Sequence, residues 1–227
     1  EGTILELLEE KFGQIPATSQ REAVTAPKFT RKLIRREKDI EQVHMNLAFD
    51  TVDYRSEEKY ILSLVNSILG GSESSILFQK VREELGLSYS VYSYASTYYN
   101  AGLFQIDATL NPVNVKTVLM TIIEVITEFR SQGVSEIELQ RAKEQINTEL
   151  IIGSESSRNR MNSNGKAMLC RKNIVNLNDT IDKINAVTVE MANAFIEGAK
   201  EMMCLIGNIE MIDYDDINKY WSELNQL

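Results

Sequence analysis

Arg82 and Tyr89, seven positions apart, have the residue types and spacing in this chain that could do chemistry without a metal. On a helix, Arg82 would face Phe78, Gln79, Leu85 and Gly86, so no carboxylate of its own helix would meet it. Its guanidinium offers a rigid fork of donors and the Tyr89 phenol offers one hydroxyl. Together they could grip a carbonyl or carboxylate, and they suit a peptide oxygen that gains negative charge during attack. The residues alone leave a second reading open, an arginine stem lying on core surface and a tyrosine tucked into a sheet.

The segment Gly70–Tyr94 has to position that pair. Gly70 and Gly71 end an apolar helix at the place of a left-handed residue, and Ser72 offers a hydroxyl to cap the next helix. Leu77, Phe78, Val81 and Leu85 recur at helical spacing and form one apolar face. Gly86 then stops the helix after Leu85, and Leu87 sits where a hydrophobic contact closes such a cap. A chain reversing at Gly86 brings Tyr89 level with Arg82. Residues 88–97, rich in Tyr, Ser and Val and short of charge, predict a strand with both faces covered.

These residues carry a resemblance. The glycine pair, Ser74-Ser75, Leu77-Phe78-Gln79, Val81-Arg82-Glu83, Gly86-Leu87 and Tyr89-Ser90 resemble the C-terminal domain of pitrilysin or insulinase-type zinc metallopeptidases, in the bacterial and mitochondrial processing-peptidase-like branch. The agreement continues in Ser135-Glu136-Ile137-Glu138-Leu139, Ala142-Lys143-Glu144-Gln145, Glu155-Ser156-Ser157-Arg158 and Met161, and it spans the chain from Glu1 to about Asn208. Two positions depart from the pattern: Ser72 stands where a third glycine is common, and Ile76 where an arginine follows the serines. The resemblance implies that Arg82 and Tyr89 reach into an active site and hold peptide substrate. It also implies zinc in the complete enzyme, held by His-x-x-Glu-His and a distal Glu on a separate N-terminal half. This chain has a single histidine, His44, and cannot build a two-histidine site. No metal ligand and no catalytic residue is therefore assigned to it.

Composition narrows the alternatives. The 227 residues are 43% hydrophobic and 25% charged, as in a globular protein, and the formal net charge of −9 opposes nucleic-acid or anionic-membrane partners. Apolar runs such as 118–126 fall short of the roughly 20 residues of a membrane span. Cys170 and Cys204 lack C-x-x-C spacing and read as buried free thiols; such sparing use fits a reducing compartment, and a cytoplasmic location is the expectation. No P-loop, dinucleotide glycine pattern or GxSxG elbow occurs. Tyr89, Tyr92, Tyr94, Tyr98 and Tyr99 are not interleaved with basic residues, so they read as aromatic packing on a sheet and not as a base-stacking platform.

Taken in order, the pattern predicts a helix through Ile4–Phe12, a linker from Gln14 to Thr30 with Pro16 and Pro27, strands at 32–38 and 42–51, and a helix at 57–69. After the central segment come a hairpin at 98–102, a strand at 103–110, and a helix opened by Asn111-Pro112 and closed at Gly133. Ser135 and Glu138 form a capping box for the next helix; more helices cover about 157–172, 179–186 and 189–199, before a strand at 202–207 and a helix near Trp221. His44 falls on the more polar face of its strand.

The expected fold class is α+β, a mainly antiparallel sheet with helices packed on one face, in the manner of one metallopeptidase half. Residues 1–13 are expected to be the last helix of a missing zinc-bearing domain, 14–30 a linker, and 31–227 the substrate-binding domain. The expected partners are that N-terminal half, a peptide substrate, and a second copy in a homodimer. The alternative is a non-catalytic scaffold subunit, like the respiratory-complex core proteins that share the fold.

Overall fold

The computed structural model describes residues 2–16, 24–30, 33–197 and 200–207. The predicted helix near Trp221 lies outside them.

Helix α1 (Gly2–Phe12) stands before the main body, and none of its residues is buried. Strands β1 (Leu33–Glu37) and β2 (Val43–Thr51) follow, then α2 (Lys59–Leu69) and a π-helical segment, α3 (Phe78–Glu84). Strands β3 (Ser90–Thr97) and β4 (Gly102–Leu110) form a hairpin. A 3₁₀ turn (Pro112–Asn114) leads into α4 (Val115–Gln132), α5 (Glu136–Glu155), α6 (Ser157–Arg171), α7 (Leu177–Asn185) and α8 (Val189–Ile196). Strand β5 (Lys200–Gly207) then returns to the sheet.

The sheet order is β1-β5-β2-β4-β3, antiparallel except for the β1–β5 pair. Sidedness follows from the two-residue period of a strand. Val43, Met45, Leu47 and Phe49 of β2 and Phe104, Ile106, Ala108 and Leu110 of β4 turn into the core, beside Leu64 of α2, Leu119 and Ile122 of α4 and Leu139 of α5. Each large side chain buried this way stabilises the fold by about 1.5–3 kcal/mol. The expected α+β class, with helices on one face of a mainly antiparallel sheet, is the observed one. His44 and Asp50 are exposed on the other face, as the alternation of β2 predicts.

Local signals held where their cause is local. Asn111 caps the 3₁₀ turn by accepting from Val113 N at 3.1 Å, and Ser135 with Glu138 makes the complete capping box. Gly133 ends α4 at φ 70°, a conformation that favours glycine.

Several expectations need correction. Gly70 is not left-handed, since its φ is −161°. A Cβ there would stand 2.8 Å from Ser93 N, so Gly70 is glycine because β3 crosses close to the end of α2; one at Gly71 would stand 2.8 Å from Asn66 Nδ2, so there the chain folds back on the last turn of α2 itself. The Ser72 hydroxyl meets Ser74 Oγ at 3.1 Å in place of capping α3; its carbonyl accepts from Ser75 N. Strand β3 lies at the sheet edge with Tyr92 48% exposed, so only one of its faces is covered. Cys170 is half-buried, not fully buried.

Candidate functional site

The turn between α3 and β3 presents both Arg82 and Tyr89. Leu77 and Val81 are fully buried and hold α3 against the core, while Arg82 on the same segment is exposed. Leu85, assigned to the apolar face by its spacing, is 46% exposed, and Leu87 packs against the core in its place. The cause is the wider π turn. In an α-helical glycine cap the closing bonds span five and three residues. Here Leu87 N donates to Val81 O at 3.0 Å and Gly86 N to Arg82 O at 3.1 Å, each one residue wider. Gly86 supplies the reversal at φ 60°.

Beyond Gly86 the backbone is tied down on both sides. Asn114 Nδ2 donates to Leu87 O at 3.2 Å, and Tyr89 N donates to Thr109 O at 2.9 Å. The Tyr89 side chain is left 62% exposed on this fixed backbone. The Arg82 guanidinium lies over the Phe78 ring at 4.9 Å, an attraction that orients it without neutralising it. Neither residue hydrogen-bonds the other; both side chains are exposed, Arg82 on α3 before the braced turn and Tyr89 just after it. Sequence reasoning did not single out Ser88, whose Oγ is buried between them in the chain without a hydrogen-bond partner among the described residues. A serine next to a tyrosine carries no sequence signal for that.

The helix-free face of the sheet continues from this turn as polar rows. Thr109 Oγ1 and His44 Nδ1 lie 3.2 Å apart, next to the start of β3. In the next row Asp107 accepts from Asn46 Nδ2 at 2.9 Å. Burial, with the hydrogen bond to Asp107 second, pushes the Tyr94 phenol up to about 12. The Tyr92 and Tyr94 rings stack at 5.8 Å, and Gln105 Nε2 donates to Ser96 Oγ at 3.1 Å. The aromatic packing expected of the tyrosines thus exists for Tyr92 and Tyr94 and faces away from the helices.

A two-histidine zinc site does not fit the sequence of this chain. His44 is the single histidine, its nearest polar contact is a threonine hydroxyl, and among the described residues no three His, Cys, Asp or Glu side chains are placed to hold a metal. Among those residues, too, no helix is long and apolar enough to cross a membrane.

Comparison with known proteins agrees with this architecture. The family model described as the peptidase M16 inactive domain matches residues 1–146. A zinc protease of Bacillus subtilis is 35% identical over 186 residues, covering 82% of this chain and 46% of its own length. Another, of Streptomyces coelicolor, is 32% identical over 173 residues, covering 75% of this chain and 38% of its own length. The chain therefore spans less than half the length of these curated relatives. Among solved structures, a peptidase M16 inactive domain from Pseudomonas fluorescens superposes with a TM-score of 0.74 at 25% identity over 90% of this chain and 50% of that one. A chain of Complex III2 from Candida albicans superposes with a TM-score of 0.84 at 18% identity over 99% of this chain and 56% of that one, a likeness of fold. The braced turn, the one-sided sheet and these matches together make the chain a member of the peptidase M16 family, as its C-terminal inactive domain.

Proposed function

We propose that this chain is the substrate-holding half of a zinc endopeptidase, and that Arg82 and Tyr89 hold the peptide carbonyl whose oxygen becomes negative during cleavage. The observation that carries this reading is that both side chains are exposed on either side of one braced turn, with no carboxylate among the described residues spent on Arg82. Donors fixed before reaction stabilise developing charge more than donors that must reorganise. The guanidinium supplies charge and a fork; the phenol adds one O–H to the same oxygen.

Residues 1–13 would close the preceding zinc-bearing half and 14–30 would link the two, consistent with the exposed α1 and with the absence of helix or strand in the described part of 14–30. The metal would belong to that other half. The scaffold alternative gains nothing from the likeness to Complex III2, which at 18% identity speaks for fold only.

The test is peptide hydrolysis by the full-length protein with Arg82→Ala or Tyr89→Phe. Each change should lower kcat on the order of 100-fold, with a smaller rise in KM, because the contact strengthens as the oxyanion forms. The double variant should lose less than the product of the single losses, since two donors to one oxygen do not act independently. Wild-type turnover in both variants, combined with early melting, would make the pair structural.

A further inference from the structure

At the other end of the sheet from Tyr89, four cations gather around two tyrosine rings. Strand β3 separates the two places by about 25 Å, at roughly 3.3 Å per residue. Lys59 Nζ and Lys166 Nζ each lie 4.5 Å from the centre of the Tyr54 ring, so they are no more than about 9 Å apart. Lys59 Nζ is also 5.1 Å, and Lys183 Nζ 5.4 Å, from the Tyr60 ring. The fourth cation is Arg171, whose side chain is only 15% exposed and which donates to the Arg55 carbonyl at 3.4 Å and to Glu57. These residues come from the β2–α2 loop and the start of α2, from α6 and from α7.

One carboxylate serves the group. Glu57 pairs with both Arg171 and Lys183, and among the described residues neither Lys59 nor Lys166 has an acidic partner. Their other contacts are neutral: Lys59 reaches Tyr54 O at 3.4 Å and Lys166 reaches Thr97 O at 3.4 Å. The neighbouring Asp53 is held by Arg55 at 3.0 Å. In a chain of net charge −9, this is a local surplus of three positive charges within a distance that salt screens only partly. Ring faces attract cations but do not cancel their charge. Burial, with the charge of Arg171 second, pulls the Lys59 ammonium down to about 8, so its charge is held there at a cost.

We propose that this cluster is a binding site for a free inorganic phosphate, simple or condensed. A phosphate group brings close to two negative charges and several strong acceptor oxygens, which matches several donors converging from separate elements. A single carboxylate would duplicate Glu57 and leave most of the surplus. A nucleotide base would find little to stack on, because Tyr60 is buried and two ammonium groups already sit 4.5 Å from the Tyr54 ring centre. The site is independent of peptide cleavage and lies away from Arg82.

Isothermal titration of the chain with sodium orthophosphate and with sodium pyrophosphate, at ionic strength held constant with sodium chloride, tests this. One saturable site is expected for pyrophosphate at least. Lys166→Gln and Lys59→Gln should each weaken it tenfold or more, and Lys11→Gln, on the distant α1, should leave it unchanged. Saturation by orthophosphate too would assign a single-phosphate pocket, and pyrophosphate alone a condensed one. Because Lys59 is partly buried and its variant could misfold, the exposed Lys166 is the deciding position. No saturable heat from either anion, or an unchanged affinity in a folded Lys166→Gln protein, would overturn the site.

Discussion

Arg82 and Lys59 both lack a carboxylate ion-pair partner among the described residues, and their surroundings give them opposite prospects. Arg82 is exposed, so Arg82→Ala should remove stem packing and little else, and Tyr89→Phe should cost about 1 kcal/mol or less in urea unfolding because the lost hydroxyl already faces water. Lys59 is different, because it lies among Arg171, Lys166, Lys183, Tyr54 and Tyr60, with Glu57 as the one attractive charge. Its folded-state pKa of about 8 lies below the ordinary 10.5. Between those values the unfolded chain holds more protons, so this group's contribution to stability rises with pH, and the penalty of its charge is fully present below about 8. Comparing Lys59→Met with the wild type in phosphate-free buffer, the difference in Tm (variant minus wild type) should fall as pH is raised from 7.5 to 10. A flat or rising difference would mean that the ammonium is not held at a cost. The sequence displays Arg82 and Tyr89 as a pair because one local turn places them. It hides the Lys59 cluster, whose cations are separated by up to 124 residues and meet only through α6 and α7.

At the scale of elements, the glycines divide into two physical kinds. Gly86 has a positive φ and open space around its Cβ position, so Gly86→Ala should cost about 1 kcal/mol from backbone strain alone. Gly70 has an ordinary φ and no space, since the new methyl would meet the Ser93 backbone at 2.8 Å, and Gly70→Ala should cost about 2–3 kcal/mol as β3 or α2 shifts. Urea unfolding of the two variants checks the order. From sequence both positions look like helix-ending glycines, because close approach of another strand is a tertiary fact with no local mark. The capping box at Ser135 was legible for the converse reason, both partners being three residues apart. The π register of α3 was not, because its apolar spacing over two turns fits either helix, and the difference shows only in which leucine, Leu85 or Leu87, enters the core.

For the whole molecule, the alternation of strands and helices was enough to give the fold class, but not the strand order. The position of β5 between β1 and β2 follows from no pattern within residues 200–207. Helix α1 is amphipathic yet leaves Ile4, Leu5 and Leu7 more than half exposed. An isolated helix of 11 residues is marginal, so its amides should exchange with solvent hydrogen far earlier than those of Val118–Phe129 in α4 when this chain is studied alone. Equal protection in the two segments would make α1 an integral part of this domain. The strand order carries a consequence for biosynthesis. Strand β1 has β5 as its sheet neighbour, and β5 leaves the ribosome about 160 residues later, on the order of 10–30 s at ordinary translation rates. Through that interval β2 pairs with β4 but has an open edge where β5 will lie, and β1 has no strand to join. The nascent chain therefore exposes a vacant strand slot until β5 emerges, which makes this domain a natural client for chaperones that shield unpaired edges.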